Sequence, residues 1–425
     1  MATRSAVVKI VLALLGVAPG IFVSLTHPDI SPFWGLAIFG LAIWCAATLL
    51  GWAAETAEMD ITGAFAMALL AIVAILPEYA VDVLLAFTAG TDPTYEALAS
   101  ANMNGATRLL IGLALPLVVL VGIRSRRVRA RKQAQDAADA AGPGDAPLEP
   151  PAPRRSAFFD VLPIPAAHYS VMFFLVIAAG LGIVAPLTRQ VHAGLGAVLI
   201  VVFVVFLWHT SRGDVGEPDL VGVSAFLGAR AKVPRRIIVI AFFLIAAATI
   251  AIGAEPFVDS LVESGRELHI NEALLIQWLA PLASEAPEFI IALTLASRNK
   301  AWAAVGMLLT SMVNQWAALV GSLPFAFKLG GGSWALPLDG RQVEEFLLTG
   351  SVTAVAVTLL LSLRIPAWGA WFMLAVFAAE FALPSEHARL ILAAVNAAAA
   401  LILLLAHARK VPALLKEPFR RSDAG

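Results

Sequence analysis

Four acidic residues stand where an apolar sequence makes them expensive. Glu78 and Asp82 lie four apart in one hydrophobic run, and Glu285 and Glu288 lie three apart in another. At those spacings each pair shares one helix face. An ionised carboxylate at the centre of a bilayer costs about 2.5–3.5 kcal/mol on insertion scales, so two such pairs call for a compensating ligand. Carboxylate oxygens suit the hard cations Na⁺ and Ca²⁺, and crowding raises some carboxylate pKa values so that protons exchange. The apolar run after each pair carries further oxygen donors: Asn102, Asn104 and Thr107 in the first case, Thr310, Ser311, Asn314 and Gln315 in the second. Asn102, Asn104, Ser311 and Asn314 join the four acids as candidate metal ligands. Arg108 is the one basic residue among them. It is read as a tethered, charge-balancing cation for Asp82 or Glu78. A single arginine leaves most of the acidic charge to be met by cations or protons.

The elements that carry these residues repeat. Leu76-Pro77-Glu78-Tyr79 corresponds to Ala286-Pro287-Glu288-Phe289, and each partner run ends alike, in Ile111-Gly112 with Pro116 and in Val320-Gly321 with Pro324. A proline inside a span removes a backbone N–H and breaks the helix. Freed carbonyls at membrane depth are tolerated where they meet protein or line a water-filled cavity. Matching broken helices in two halves of opposite orientation are the mark of secondary transporters.

The rest of the chain fits that setting. It has 425 residues, 60% apolar and 14% charged, against about 25% charged in soluble domains. The apolar runs approach the ~20 residues a helix needs to cross hydrocarbon. They do not alternate as the strands of a membrane β-barrel do. Twelve spans are predicted near 6–25, 32–52, 61–88, 97–122, 168–187, 192–209, 236–254, 271–297, 301–328, 345–364, 367–383 and 387–408. The Pro77 run is then third and the Pro287 run eighth, and an odd separation inverts the second copy. Sorting the loops by this count puts 23 of the 29 basic residues on the side of both termini, which the positive-inside rule makes cytoplasmic. Asp92, Glu96, Glu255, Asp259, Glu263, Glu267, Glu272, Glu344 and Glu345 fall to the outer side and are read as solvated loop acids. Glu55, Glu58 and Asp60 are read as solvated residues at the entrance to the first repeat helix, and Glu380 as a span-end residue.

These readings give an all-α polytopic membrane protein of about twelve helices. Residues 1–31 form an extra N-terminal helix. The first half covers 32–210, with its repeat at 61–122 and a flexible cytoplasmic linker at 123–167. A connecting loop spans 211–235. The second half covers 236–408, with its repeat at 271–328, and 409–425 is a cytoplasmic tail. Arg4, Lys9 and the following apolar stretch look like a secretory signal, but Gly16-Val17-Ala18-Pro19 is a poor cleavage site, so the segment is read as a retained span in a cell-membrane protein. A net charge of -1 indicates no nucleic-acid partner. The single cysteine, Cys45, excludes an internal disulfide and two-cysteine redox or metal motifs. The seven histidines lie at span ends or in loops, and none is assigned to a metal. No HExxH, Walker A or Ser-His-Asp arrangement is present. The partners expected are small inorganic cations and the lipid bilayer, with no cofactor; oligomeric state stays open.

Leu76-Pro77-Glu78 with its polar partner run, and Ser284-Glu285-Ala286-Pro287-Glu288 with its own, resemble the repeats of the cation/Ca²⁺ antiporter superfamily, the sodium/calcium-exchanger-like membrane proteins. The resemblance implies a ten-helix core of two inverted five-helix halves, alternating access, and countertransport of Ca²⁺ or another cation against Na⁺ or H⁺. The family's repeat acids fall on Glu78 and Glu288. Its hydroxyl three residues earlier falls on Ile75 and Glu285, a departure, and its Gly-Asn-rich pattern survives partly as Ala101-Asn102-Met103-Asn104-Gly105-Ala106-Thr107. Na⁺/Ca²⁺, H⁺/Ca²⁺ and Na⁺/H⁺ exchange all stay open. An intramembrane acid–base enzyme is the less favoured alternative, because a hydrolase has no need of two inverted acidic helices.

Overall fold

A computed structural model describes residues 2–57, 59–60, 76–140, 157–211, 220–269, 272–382, 385–416 and 419. Helices dominate. In chain order they are α1 (Ala2–Thr26), α2 (Pro32–Ala57), α3 (Leu76–Ala89) and α4 (Ala101–Arg108). A π-helical segment, Leu109–Ala114, joins α4 to α5 (Leu115–Ala140). There follow α6 (His168–Gly182), α7 (Val184–Thr188), α8 (Ala193–Thr210), α9 (Gly222–Gly228), the long α10 (Lys232–Leu268) and α11 (Glu272–Ser297). Then α12 (Ala301–Asn314) leads through a second π segment, Gln315–Leu319, into α13 (Val320–Leu329). The last helices are α14 (Gly340–Leu360), α15 (Ala367–Ala382), α16 (Glu386–Ala406) and α17 (Val411–Lys416). Four three-residue strands form two antiparallel pairs, β1 (Val161–Pro163) with β4 (Arg364–Pro366) and β2 (Gln190–His192) with β3 (Ala335–Pro337).

The spans are those a helical membrane protein needs. Among the described residues nine helices are long and apolar enough to cross a bilayer, or ten with the bent pair in α11. The two other predicted spans appear as the shorter apolar helices Tyr79–Ala89 and Ala367–Glu380. Residues 61–75 of the predicted third span lie outside the described residues. Burial sorts the helices. The span windows within Ala101–Asp136, Ala301–Leu329 and Gly340–Leu360 are 78%, 78% and 83% buried, whereas those of α8 and α16 are 22% buried. On α8 the exposed side chains include Val198, Val201, Val204 and Val205. An exposed valine face suits lipid, whereas the polar residues ride on the interior helices.

The chain packs as two units. The first comprises Met1–Leu109, Phe174–Phe289 and Met312–Gly350, and the second Leu110–Phe173, Ile290–Ser311 and Ser351–Gly425. In the first unit, α1, α2, α9 and α10 share a core around Val17, Leu49, Leu50, Leu227 and Phe242. Phe39, Ile43, Val81, Leu85, Phe257 and Ile276 join α2, α3, α10 and α11 in a second core. Helices α8 and α13 meet through Gly196 and Gly321, where an added Cβ would stand 2.6 and 2.9 Å from the opposing glycine's carbonyl oxygen. Small residues allow such backbone contact between membrane helices. In the second unit, Tyr169 Oη donates to Leu361 O at 2.7 Å, and the Ser125 hydroxyl donates to Ala296 O at 2.9 Å.

Three boundaries differ from expectation, each for a local reason. Helix α5 continues to Ala140, so the basic residues from Arg124 to Lys132, expected in a flexible linker, stand on a helix; Arg and Lys are good helix formers. Helix α10 reaches Leu268, carrying the exposed Glu255, Asp259, Glu263 and Glu267 on its far half rather than in a loop. Helix α14 starts at Gly340, five residues before the predicted span. Asp339 caps it: its carboxylate accepts from Gln342 N at 2.7 Å, and Gln342 Oε1 accepts from Asp339 N at 2.9 Å. This reciprocal capping box draws Glu344 and Glu345, read as loop acids, inside the helix, where both are buried.

Candidate functional site

The first repeat acids are on α3. Glu78 lies in its first turn, with a side chain outside the described residues, and Asp82 is fully buried one turn later. The second pair is on α11, which bends by 56° between Glu285 and Glu288. Pro287 sits at this bend, in keeping with the loss of a helix hydrogen bond. Glu285 is buried, and Glu288 is half-buried with its Oε2 atom enclosed.

The polar partner spans share an irregularity. Each gives way to a π-helical segment directly beyond its polar residues, at Leu109 after Arg108 and at Gln315 after Asn314. Short π segments within α-helices are frequent at functional sites. Asn102, Asn104, Thr107 and Gln315 are fully buried, and Asn314 nearly so. Both amide atoms of Asn102, and both of Asn314, are buried with no hydrogen-bond partner among the described residues. A buried polar group without a partner costs about 1–3 kcal/mol, so these amides suit a site that receives a polar guest. Ser311 is buried too, in the second unit.

Other candidates are already engaged. Asn104 Nδ2 donates to Ser100 O at 3.0 Å, and its Oδ1 accepts from Thr349 Oγ1 at 2.8 Å. Gln315 Nε2 donates to Glu285 Oε1 at 2.7 Å, which ties the second repeat's polar span to its acidic helix. Arg108 forms a buried ion pair with Glu345. Glu345, on the extended α14, is thus one partner of Arg108; the Glu78 side chain lies outside the described residues. Gln277 Nε2 donates to the same Glu345 oxygen at 3.0 Å, Arg108 Nε donates to Asn104 O at 3.3 Å, and the guanidinium lies 5.1 Å from the ring centre of Trp278. At the start of α14, Gln342 Nε2 donates to Glu96 O at 2.7 Å and to Ser100 Oγ at 3.0 Å. Gly105 permits the whole contact, since a Cβ there would stand 1.6 Å from Gln277 O.

Thus α4, α11 and α14 are bound by a polar network in the first unit. Among the described residues, no three His, Cys, Asp or Glu side chains converge as a metal-binding group; the Glu78 side chain lies outside them. Sequence reasoning missed Glu345, Gln277, Gln342 and Thr349. The Asp339-x-x-Gln342 capping signature was the available signal for the first of these. Trp316 is fully buried, its ring centre 6.3 Å from that of Phe346. Glu380, expected at a span end, is buried on α15.

A many-span helical chain that encloses acids and amides has the oxygen donors a cation needs. The comparisons with known proteins agree. A family model described as sodium/calcium exchanger protein matches residues 31–212 and 238–383. The chain belongs to this family of cation antiporters. The crystal structure of the H⁺/Ca²⁺ exchanger CAX matches with a TM-score of 0.86 and 29% identity, over 98% of each chain. The Ca²⁺/H⁺ antiporter protein YfkE, at 15% identity, covers 92% of this chain and 98% of its own with a TM-score of 0.59. The sodium-calcium exchanger NCX_Mj, at 15% identity, covers 83% and 99% with a TM-score of 0.51; these last two show the fold alone. No curated protein matches the chain.

Proposed function

We propose that this antiporter exchanges Ca²⁺ against H⁺. The observation that carries the reading is the buried Arg108–Glu345 pair. Glu345 offsets the charge of Arg108, so the four repeat acids are left to be balanced by Ca²⁺ in one state and by protons in the other. A proton needs only a carboxylate, whereas each Na⁺ needs its own cage of oxygens. The match to the H⁺/Ca²⁺ exchanger CAX over nearly the whole chain supports the same choice. In this reading Glu78 and Glu288 ligate Ca²⁺ and release it on protonation. Asp82 and Glu285 share charge or protons, and Asn102 and Asn314 contribute to the 6–8 oxygens that Ca²⁺ takes. Asn104 positions Thr349 and α14. The two π-interrupted spans, and a Pro-Glu pair on the acidic helix of each half, support a pair of inverted repeats, one in 32–210 and one in 236–408. The basic loops support cytoplasmic termini, and transport rather than enzymic turnover is the activity.

Reconstitution into liposomes tests this. Ca²⁺ uptake is followed under an imposed pH gradient and, separately, an imposed Na⁺ gradient. Uptake driven by the pH gradient, and lost in Glu78→Gln and Glu288→Gln proteins of normal abundance, is expected. Uptake driven only by Na⁺, or unchanged in both variants, refutes it.

A further inference from the structure

The helix through α4 and α5 runs from Ala101 to Asp136, 36 residues, or about 54 Å at 1.5 Å per residue. Hydrocarbon is only ~30 Å thick, so the end of α5 projects beyond it. No charged residue lies between Leu109 and Ile123, and Arg124 is the first. Directly after α11, Arg298 is likewise the first charge beyond Glu288. Arg124 and Arg298, which mark where two spans leave the apolar layer, line one groove of about 630 Å³ within the second unit. Arg129 and Lys132 line it as well. None of these four cations has a hydrogen-bond or ion-pair partner among the described residues. Asp160 is taken by Arg127, which does not line the groove. The groove is also amphipathic. Val121 and Val128 form part of its wall. Asn299, held at a φ of 66°, lines it too, and its Oδ1 atom is buried without a partner among the described residues.

We infer that this groove binds the headgroup of an anionic glycerophospholipid. The phosphate meets Arg124 and Arg298, bidentate donors suited to it. Arg129 and Lys132 add attraction to the anionic surface. The unpartnered Asn299 oxygen accepts from a headgroup hydroxyl, which favours phosphatidylglycerol. The two valines receive the upper part of an acyl chain. A soluble phosphate uses the cations but neither the valines nor the hydroxyl acceptor.

The test uses the purified full-length protein in detergent, exposed to equal amounts of phosphatidylglycerol and phosphatidylcholine, with bound lipid counted by native mass spectrometry. Inorganic phosphate is added in a parallel arm. The Arg124→Gln/Arg298→Gln protein is compared with Arg126→Gln/Arg131→Gln, which removes two exposed arginines of the same helix that do not line the groove. All the substituted side chains on the groove are exposed, and size-exclusion profiles check folding; Arg298→Gln alone serves if the pair fails. Retention of phosphatidylglycerol by the wild type and the control, with a loss of roughly tenfold or more in the groove variant, is the expected result. Equal loss in the control, equal retention of phosphatidylcholine, or displacement by millimolar phosphate overturns the inference.

Discussion

The Arg108 guanidinium pairs with the Glu345 carboxylate where both side chains are nearly excluded from solvent, at 2% and 7% exposure. Two distant stretches of chain, a polar span and a stretch that reads as an acidic loop, therefore share one buried charge pair. Removing one partner of such a pair leaves a buried charge uncompensated and costs about 3–5 kcal/mol, whereas replacing both with packed apolar groups is often neutral. Arg108→Met and Glu345→Leu are each expected to lower the melting temperature strongly, and the double variant to recover most of the loss. A thermal-melt double-mutant cycle measures this. Additive losses would show that the pair does not couple.

Gly105 makes a sharper packing prediction. A Cβ there would overlap Gln277 O at 1.6 Å, on backbone that cannot rotate away. Gly105→Ala is expected to destabilise by about 1–3 kcal/mol, the usual cost of overpacking, and to reduce folded yield. Gly194, with nothing within 4 Å of an added Cβ, is the control on α8. Fluorescence-detected size exclusion of the two variants compares them, and equal yields would remove the argument for close approach of α4 and α11.

Two buried amides make the transport prediction. Asn102→Ala and Asn314→Ala each remove an oxygen that has no other partner among the described residues. Each is expected to raise the KM for Ca²⁺ about tenfold while leaving the melting temperature unchanged or higher, because an unpartnered polar group leaves the interior. A large drop in stability with unchanged KM would assign these amides to helix packing instead.

The Asp60 carboxylate receives Nε and Nη2 of Arg235 at 2.7 and 2.8 Å, with Arg236 close by. These charge-assisted hydrogen bonds, chiefly from Arg235, hold its pKa below the ordinary carboxylate value. A depressed carboxylate pKa contributes stability that is fully present above the unfolded value of about 3.9 and is lost as pH falls through the lower folded value. Melting temperatures taken from pH 7 to pH 3 are expected to show this acid-side loss in the wild type and a shallower one in Asp60→Asn. Parallel curves would show that the clamp contributes nothing.

Much of this protein was legible without coordinates. Apolar runs of bilayer length, separated by sorted charges, determine a helical membrane chain because the interior of a bilayer admits little else. The expensive carboxylates beside prolines singled out α3 and α11, and clustered amides singled out the helices that prove among the most buried. These are local or composition-borne signals, and the energy of burying charge in hydrocarbon is large enough to show through any context.

Which charges meet was decided by the tertiary structure. The sequence left Arg108 to choose between Asp82 and Glu78, and it placed Glu345 in water. A five-residue extension of α14, fixed by the Asp339–Gln342 capping box, brings Glu345 to Arg108. The engagement of Asn104 by Thr349 also depends on helices distant in sequence, and that of Glu285 by Gln315 on the packing of two consecutive spans. Partner choice follows distance and burial across the packed helices, and neither is written in local spacing. The types of residue that carry function are thus set by the one-dimensional cost of burying them, and their pairing by three-dimensional packing.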